Sequence, residues 1–137
     1  MEPRIIDFRV VEGDRSRLSA LDDEADLPII VKHAYWIYGV EGDVARGNHA
    51  HLNSDRILVC IAGSVAITIE SSVGKQYSFT LSDPSKGLLF PRLHWINLNF
   101  SIGAALMVFT SCAHNEDIAI RDYRKFKEHD PSLSIHG

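Results

Sequence analysis

Residues 46–63, RGNHAHLNSDRILVCIAG, carry the reading of the fold. In an extended chain, side chains two apart share a face, so His49 and His51 project together while Ala50 turns away. The apolar run ILVCI at 57–61 follows, Ala62-Gly63-Ser64 interrupts it, and a second run, VAITI at 65–69, returns. This is the pattern of a β-hairpin with two imidazoles near its mouth. A pair of surface histidines in a loop is the plain alternative, and the rest of the chain must separate the two.

Upstream, alternation among Ile5, Ile6, Phe8, Val10 and Val11 predicts a first strand over 4–11, ended by Gly13-Asp14. Residues 18–21 suit a second short strand, and residues 22–26, DDEAD, read as an acidic, solvated loop before Pro28. From 29 to 40 the density of β-branched and aromatic residues predicts a long, mostly buried strand that contains Tyr35, Trp36 and Tyr38. Downstream, strands are expected at 77–81, 88–90, 94–100 and 104–111, with SDPSKG at 82–87 as a strong turn. Turns every 8 to 12 residues are the rhythm of a sandwich or barrel. Only EDIAIRDYRKFK at 116–127 changes character, with helical spacing, acids first and bases last, which predicts one short C-terminal helix.

The 137 residues suffice for one domain, 1–137, with its own core. Lys and Arg number 14 against 18 Asp and Glu, a formal charge of −4, which argues against a general nucleic-acid or membrane-surface binder. The two cysteines, Cys60 and Cys112, sit in apolar runs and are expected as buried free thiols. No apolar run reaches the roughly 18 residues of a membrane span, and MEPRIIDFRV lacks the apolar core of a signal peptide, so a cytoplasmic protein is expected.

Against this many-stranded background the histidine pair gains an interior to line. The cupin form of the jelly roll places His-x-His, an acid three or four residues on, a closing glycine, and a later third histidine. His49, His51 and Gly63 suit that order, but Asp55 and Arg56 stand at the two spacings for the acid, and PRLHWI at 91–96 puts Ile96 where the last ligand belongs. A divalent metal usually takes three protein ligands, and this chain supplies two, so no metal is expected. Paired imidazoles without metal suit proton transfer near neutral pH. Arg15, Arg17, Lys32, Arg46, Arg56 and Arg92 are candidates for gripping an anion such as a diphosphate, with solvated surface arginines as the alternative for each. Tyr35, Trp36 and Tyr38 could stack on a base or sugar, or serve as plain core.

Taken in order, IIDF, VKHAYWIYGVEGDVARGNHAH, ILVCIAGSVAITIE, LSDPSKGLLFP and IAIRDYRKF resemble the TDP-4-keto-6-deoxy-D-glucose 3,4-ketoisomerases over nearly the whole chain. The resemblance implies an all-β, cupin-type jelly roll with a short C-terminal helix, and a homodimer that needs no cofactor. It also implies an enzyme that moves the keto group of a TDP-linked hexose from C4 to C3. By the resemblance His49 and His51 become the proton-shuttling pair, with Arg46 and the aromatic strand of Tyr35 and Trp36 at family positions; Arg17, His94 and Asn97 are this chain's own candidates for the far wall. The chain departs from the family at Asp55-Arg56, at Ser16 and in the order His94-Trp95. Those departures leave a non-catalytic nucleotide-sugar binder and a metal-dependent cupin as competing readings.

Overall fold

Leu58 and Cys60 pack on one face of a central strand while Ile57 and Val59 pack on the other, which is why that run is apolar without alternation. The strand is β6 (Arg56–Ala62), in the computed structural model, which describes residues 1–21 and 27–130. The acidic loop expected at 22–26 therefore lies outside the described residues. β6 is the middle of a five-stranded sheet ordered β1 (Arg4–Asp7), β9 (Lys86–Phe90), β6, β11 (Ala105–Thr110), β4 (His33–Ile37). The second sheet runs β12 (Ala119–Ile120), β5 (Val44–His51), β10 (His94–Phe100), β7 (Val65–Ser71), β8 (Gln76–Leu81). All pairings are antiparallel. Leu58, Val65, Ile67, Ile69, Leu88, Ile96, Phe100, Leu106 and Val108 fill the space between the sheets, and the whole is a cupin-type jelly roll.

The β6–β7 turn requires its glycine. Gly63 has φ +67°, and a Cβ there would lie 2.8 Å from Ala104 Cα. The buried thiols of Cys60 and Cys112 are free. No helix among the described residues is long and apolar enough to cross a membrane, which says nothing of a membrane β-barrel.

Three expectations change. The first strand is two: β1 joins β9, while β2 (Arg9–Gly13) turns back on β3 (Ser16–Ala20) as a hairpin. The break falls at Phe8, whose amide bonds Ser85 O and whose ring packs against Gly87. The long aromatic strand shrinks to β4, an edge strand paired only with β11 among the described residues. Trp36 is consequently 59% exposed and Tyr38 73%. In the tail, a 3-10 turn (His114–Glu116) and β12 precede a helix of five residues, α1 (Tyr123–Lys127). Pairing of β12 with β5 overrides the helical spacing of residues 116–122, and the Asp122 carboxylate then caps α1 by accepting from the amides of Arg124 and Lys125. Phe126 anchors the helix against Trp95 and Ala50.

Candidate active site

A β-bulge sets the direction of every side chain in the site. In the β5–β10 ladder His49 pairs with Ile96 and Gly47 with Asn97, so Asn48 is an extra residue. Gly47 (φ +115°) and Asn48 (φ +57°) take left-handed conformations, and a Cβ on Gly47 would stand 2.6 Å from Ile96 O. Three positions apart, Arg46 and His49 would lie on opposite faces of an unbroken strand. The extra residue restores the parity, so Arg46, His49 and His51 all line one cavity of about 690 Å³ between the sheets. Tyr35 lines it from β4, and Ile96 and Leu98 form part of its floor.

The imidazoles of His49 and His51 meet edge-on, with centroids 4.8 Å apart and planes at 83°. His51 is 6% exposed. Its Nδ1 lies 3.0 Å from Asp117 Oδ1, and its ring edge meets Phe90. Asp117 also accepts from Ser54 Oγ at 3.0 Å and from Arg56 Nη2 at 2.9 Å, while Arg56 Nη1 donates to Ser54 Oγ. Burial, the Arg56 charge and the neighbouring His49 push the His51 pKa down to about 4 against the pull of Asp117. At neutral pH the contact is therefore a hydrogen bond from a neutral ring, Nδ1–H to carboxylate, rather than an ion pair. Burial also lowers His49, opposed by the Gly47 carbonyl and helped by Arg121 and Arg56. Burial works to raise Asp117, but His51, Arg56 and Ser54 outweigh it, so the carboxyl titrates below its ordinary range.

Not all the sequence candidates converge here. Arg56 does line the cavity, although its guanidinium is committed to Asp117 and Ser54. Arg92 does not: its guanidinium and backbone amide bind Asp55, and neither residue is among those that line the cavity. His94 donates Nδ1–H to Arg92 O and faces Tyr77, outside the cavity lining. Asn97 accepts from the amide of Asn48 and so secures the bulge. Tyr38 lies beyond the end of β4, away from the lining. Arg15 and Arg17 belong to the β2–β3 hairpin and line a separate groove of about 970 Å³ that contains none of the histidines.

Asp117, Arg121, His33 and His114 also line the cavity and were missed. Asp117 and Arg121 flank β12, which reaches the site because Ala119 pairs with His51 and Ile120 with Ala50. A helical reading of that segment hid them. Among the described residues no group of three or more His, Cys, Asp and Glu side chains is placed to hold a metal ion.

The jelly-roll cavity thus brings the paired imidazoles of His49 and His51 together with Arg46, Arg56 and Arg121. The WxcM-like, C-terminal (FdtA) family model matches residues 1–130, and the chain belongs to that family. It is 29% identical over 136 residues to TDP-4-oxo-6-deoxy-alpha-D-glucose-3,4-oxoisomerase of Aneurinibacillus thermoaerophilus, a match that covers 98% of this chain and 97% of that one. The structure of WlaRA, a TDP-fucose-3,4-ketoisomerase from Campylobacter jejuni, superposes with a TM-score of 0.88 at 28% identity, covering 98% of this chain and 99% of that one. QdtA, a sugar 3,4-ketoisomerase from Thermoanaerobacterium thermosaccharolyticum solved with TDP, gives 0.85 at 28% identity and 95% coverage of each chain.

Proposed function

We propose that this chain is a nucleotide-sugar 3,4-ketoisomerase that converts a TDP-linked 4-keto-6-deoxyhexose into its 3-keto isomer. The observation that carries the reading is the edge-on pair His49 and His51, held inside a cavity that Arg46 and Arg121 also line. The two arginines are cations for the diphosphate, and Tyr35 offers a face for the base or sugar. Family membership and the activities of the relatives support the same reaction.

The chemistry asks for two proton positions. One imidazole takes the C3 proton; the C–H electron pair forms the C3=C4 bond, and the former carbonyl pair moves to O4, which takes a proton from the second imidazole. The result is an enediol. O3–H then returns its proton to the second imidazole as the C3 carbonyl forms, and the first imidazole returns its proton to C4. Atoms and charges balance, and two groups able to lose and gain a proton suffice for the steps.

The chain also suits a homodimer. Hairpin β2–β3 leaves Val10, Val11 and Leu18 exposed, and it borders the groove that Phe8, Val59, Ile61, Met107 and Phe109 line on the outer face of the first sheet. A second copy of this apolar surface is a fitting cover, and light scattering of the purified chain tests it. A nucleotide-sugar substrate agrees with the expected cytoplasmic location.

Proton NMR of the protein mixed with TDP-4-keto-6-deoxyglucose in D₂O tests the activity. Deuterium entering at the carbon that gains the proton, together with a 3-keto product, is the expected result. Substrate that binds but keeps both its C3 proton and its 4-keto group leaves only the nucleotide-sugar binder.

A further inference from the structure

Four of the chain's seven histidines line the same cavity, and proton transfer uses only two of them. The other two, His33 and His114, touch ring to ring, with centroids 5.7 Å apart. We propose that His33 and His114 form an imidazole clamp at the cavity mouth, which takes up a proton as it grips the diphosphate of the nucleotide sugar, so that binding weakens as pH rises. The clamp presupposes the nucleotide-sugar reading of the site and adds to it two anion-binding side chains outside the reacting pair.

Register places His33 on the inner face of the first sheet. His33 pairs with Thr110 on β11, Thr110 with Arg56 on β6, and Arg56 with Phe90 on β9, so one cross-strand row runs from His33 to the ring that meets His51. Tyr35 and Ile37 line the cavity with it, while Ala34 and Trp36, which alternate with them, do not. His114 comes from the 3-10 turn that opens the segment leading to Asp117 and β12. Burial falls along the cavity: His51, Arg56 and Phe90 are buried, His33 is half-buried, and Arg46, His114 and Arg121 are exposed. In a hexose C1 lies across the ring from C4, so a sugar whose C3 and C4 reach His49 and His51 turns its C1 diphosphate toward the open end. That end carries the two exposed arginines and the second imidazole pair.

The pair has no counter-charge of its own. His51 has Asp117 and His94 has the Arg92 carbonyl, whereas among the described residues His33 and His114 make only ring contacts, to each other and, for His33, to Tyr35. The charged and titratable groups around them are Lys32 and Tyr35 beside His33, Arg46, His49 and His51 on β5, Arg56 on β6, and Glu116, Asp117 and Arg121 in the segment that follows His114. Of the two acids, Asp117 is engaged by His51, Ser54 and Arg56, and Glu116 is exposed and does not line the cavity. A diphosphate supplies the missing charge: it favours the imidazolium form, whose N–H groups donate charge-assisted hydrogen bonds to its oxygens. The protonated form binds the more tightly, so by linkage affinity is full on the acid side and falls once pH rises past the point at which the bound imidazole gives up its proton.

Calorimetry of the full chain with TDP-glucose tests the clamp. Both phosphates of that ligand are esterified, so neither titrates near neutral pH, and it has no 4-keto group to react. Titrations in two buffers of different ionisation enthalpy should show net proton uptake. Kd should rise about 10-fold between pH 6 and pH 8.5, the size expected when an opposite charge at close range favours the cationic form of one imidazole. His33→Gln and His114→Gln should each reduce the uptake and flatten that dependence. His33→Arg, whose charge is permanent, should keep at pH 8.5 most of the affinity it has at pH 6, which a merely packing role for His33 would not produce. Uptake and pH dependence unchanged in both glutamine variants assign the proton to another group and overturn the clamp. Wild-type protein that binds TDP-glucose equally well at both pH values, or not at all, overturns it too. The D₂O assay judges the isomerase reading separately: 3-keto product with a pH-independent Kd keeps the enzyme and removes the clamp, whereas pH-dependent binding without product keeps the clamp on a nucleotide-sugar binder.

Discussion

Asp55 and Arg56 are adjacent in the chain, yet each belongs to a different arginine–aspartate pair. Asp55 turns to Arg92, whose side chain is 49% exposed, and also accepts the Arg92 backbone amide at 2.8 Å. Arg56 turns inward to Asp117, where both partners touch the histidine site. The chemistry of the two pairs is the same, and what separates them is place: Arg56 and Asp117 line the histidine cavity, whereas Asp55 and Arg92 do not. The outer pair ties the turn before β10 to the start of β6, while the inner pair contacts the imidazole of His51, one of the two proposed to move the proton.

The sharpest division between these pairs is expected in activity. His51→Asn should abolish turnover, a loss of about 10²- to 10⁴-fold for a missing acid–base group, with TDP binding retained by calorimetry. Measurable wild-type turnover in that variant would remove His51 from the chemistry. Neither Asp55 nor Arg92 should show such an effect.

Stability divides them next. Arg56→Ala leaves a part-buried carboxylate without its cation and should cost about 3 kcal/mol in chemical unfolding. Asp55→Ala strands the Arg92 amide and should cost about 2 kcal/mol with kcat near wild type. A fall in kcat comparable with that of an inner-pair variant would erase the distinction. Arg92→Ala, at a half-exposed position, should cost no more than about 1 kcal/mol.

Acid sharpens the inner site further. His51 titrates at about 4 in the folded protein against an ordinary 6.5, so the unfolded chain binds more protons between those values. Stability is full above about pH 6.5 and declines as pH falls toward 4, by up to about 3 kcal/mol from this group. His49 and His94, both lowered chiefly by burial, add in the same direction. Urea titrations at pH 7 and pH 4.5 measure the effect, and a His51→Asn protein should lose less stability over that interval.

Much of the architecture was legible because side-chain period and turn chemistry are local. The runs 57–61 and 65–69 around Gly63, and the alternation at 94–100, each became a strand at the expected place. The His49–His51 pairing on one face followed from the period of two. What stayed hidden was non-local. β4 and β6 have similar apolar compositions, but one is an edge and the other a centre, and only strand order decides which buries its side chains. Helical spacing in 116–127 lost to pairing with β5, because ladder hydrogen bonds and burial outweigh a weak local propensity over so short a segment.

By itself, then, the sequence determined the strands around 57–61, 65–69 and 94–100, the hairpin at Gly63 and the imidazole pair, since each depends on residue type and spacing along a few neighbours. Only the tertiary structure decided that Asn48 is an extra residue, which returns Arg46 to the face of His49. It alone carried Asp117 across 66 positions to His51 and parted Asp55 from Arg56. Those outcomes depend on register and on which chain segments meet, and a register shift of one residue reverses every side chain that follows.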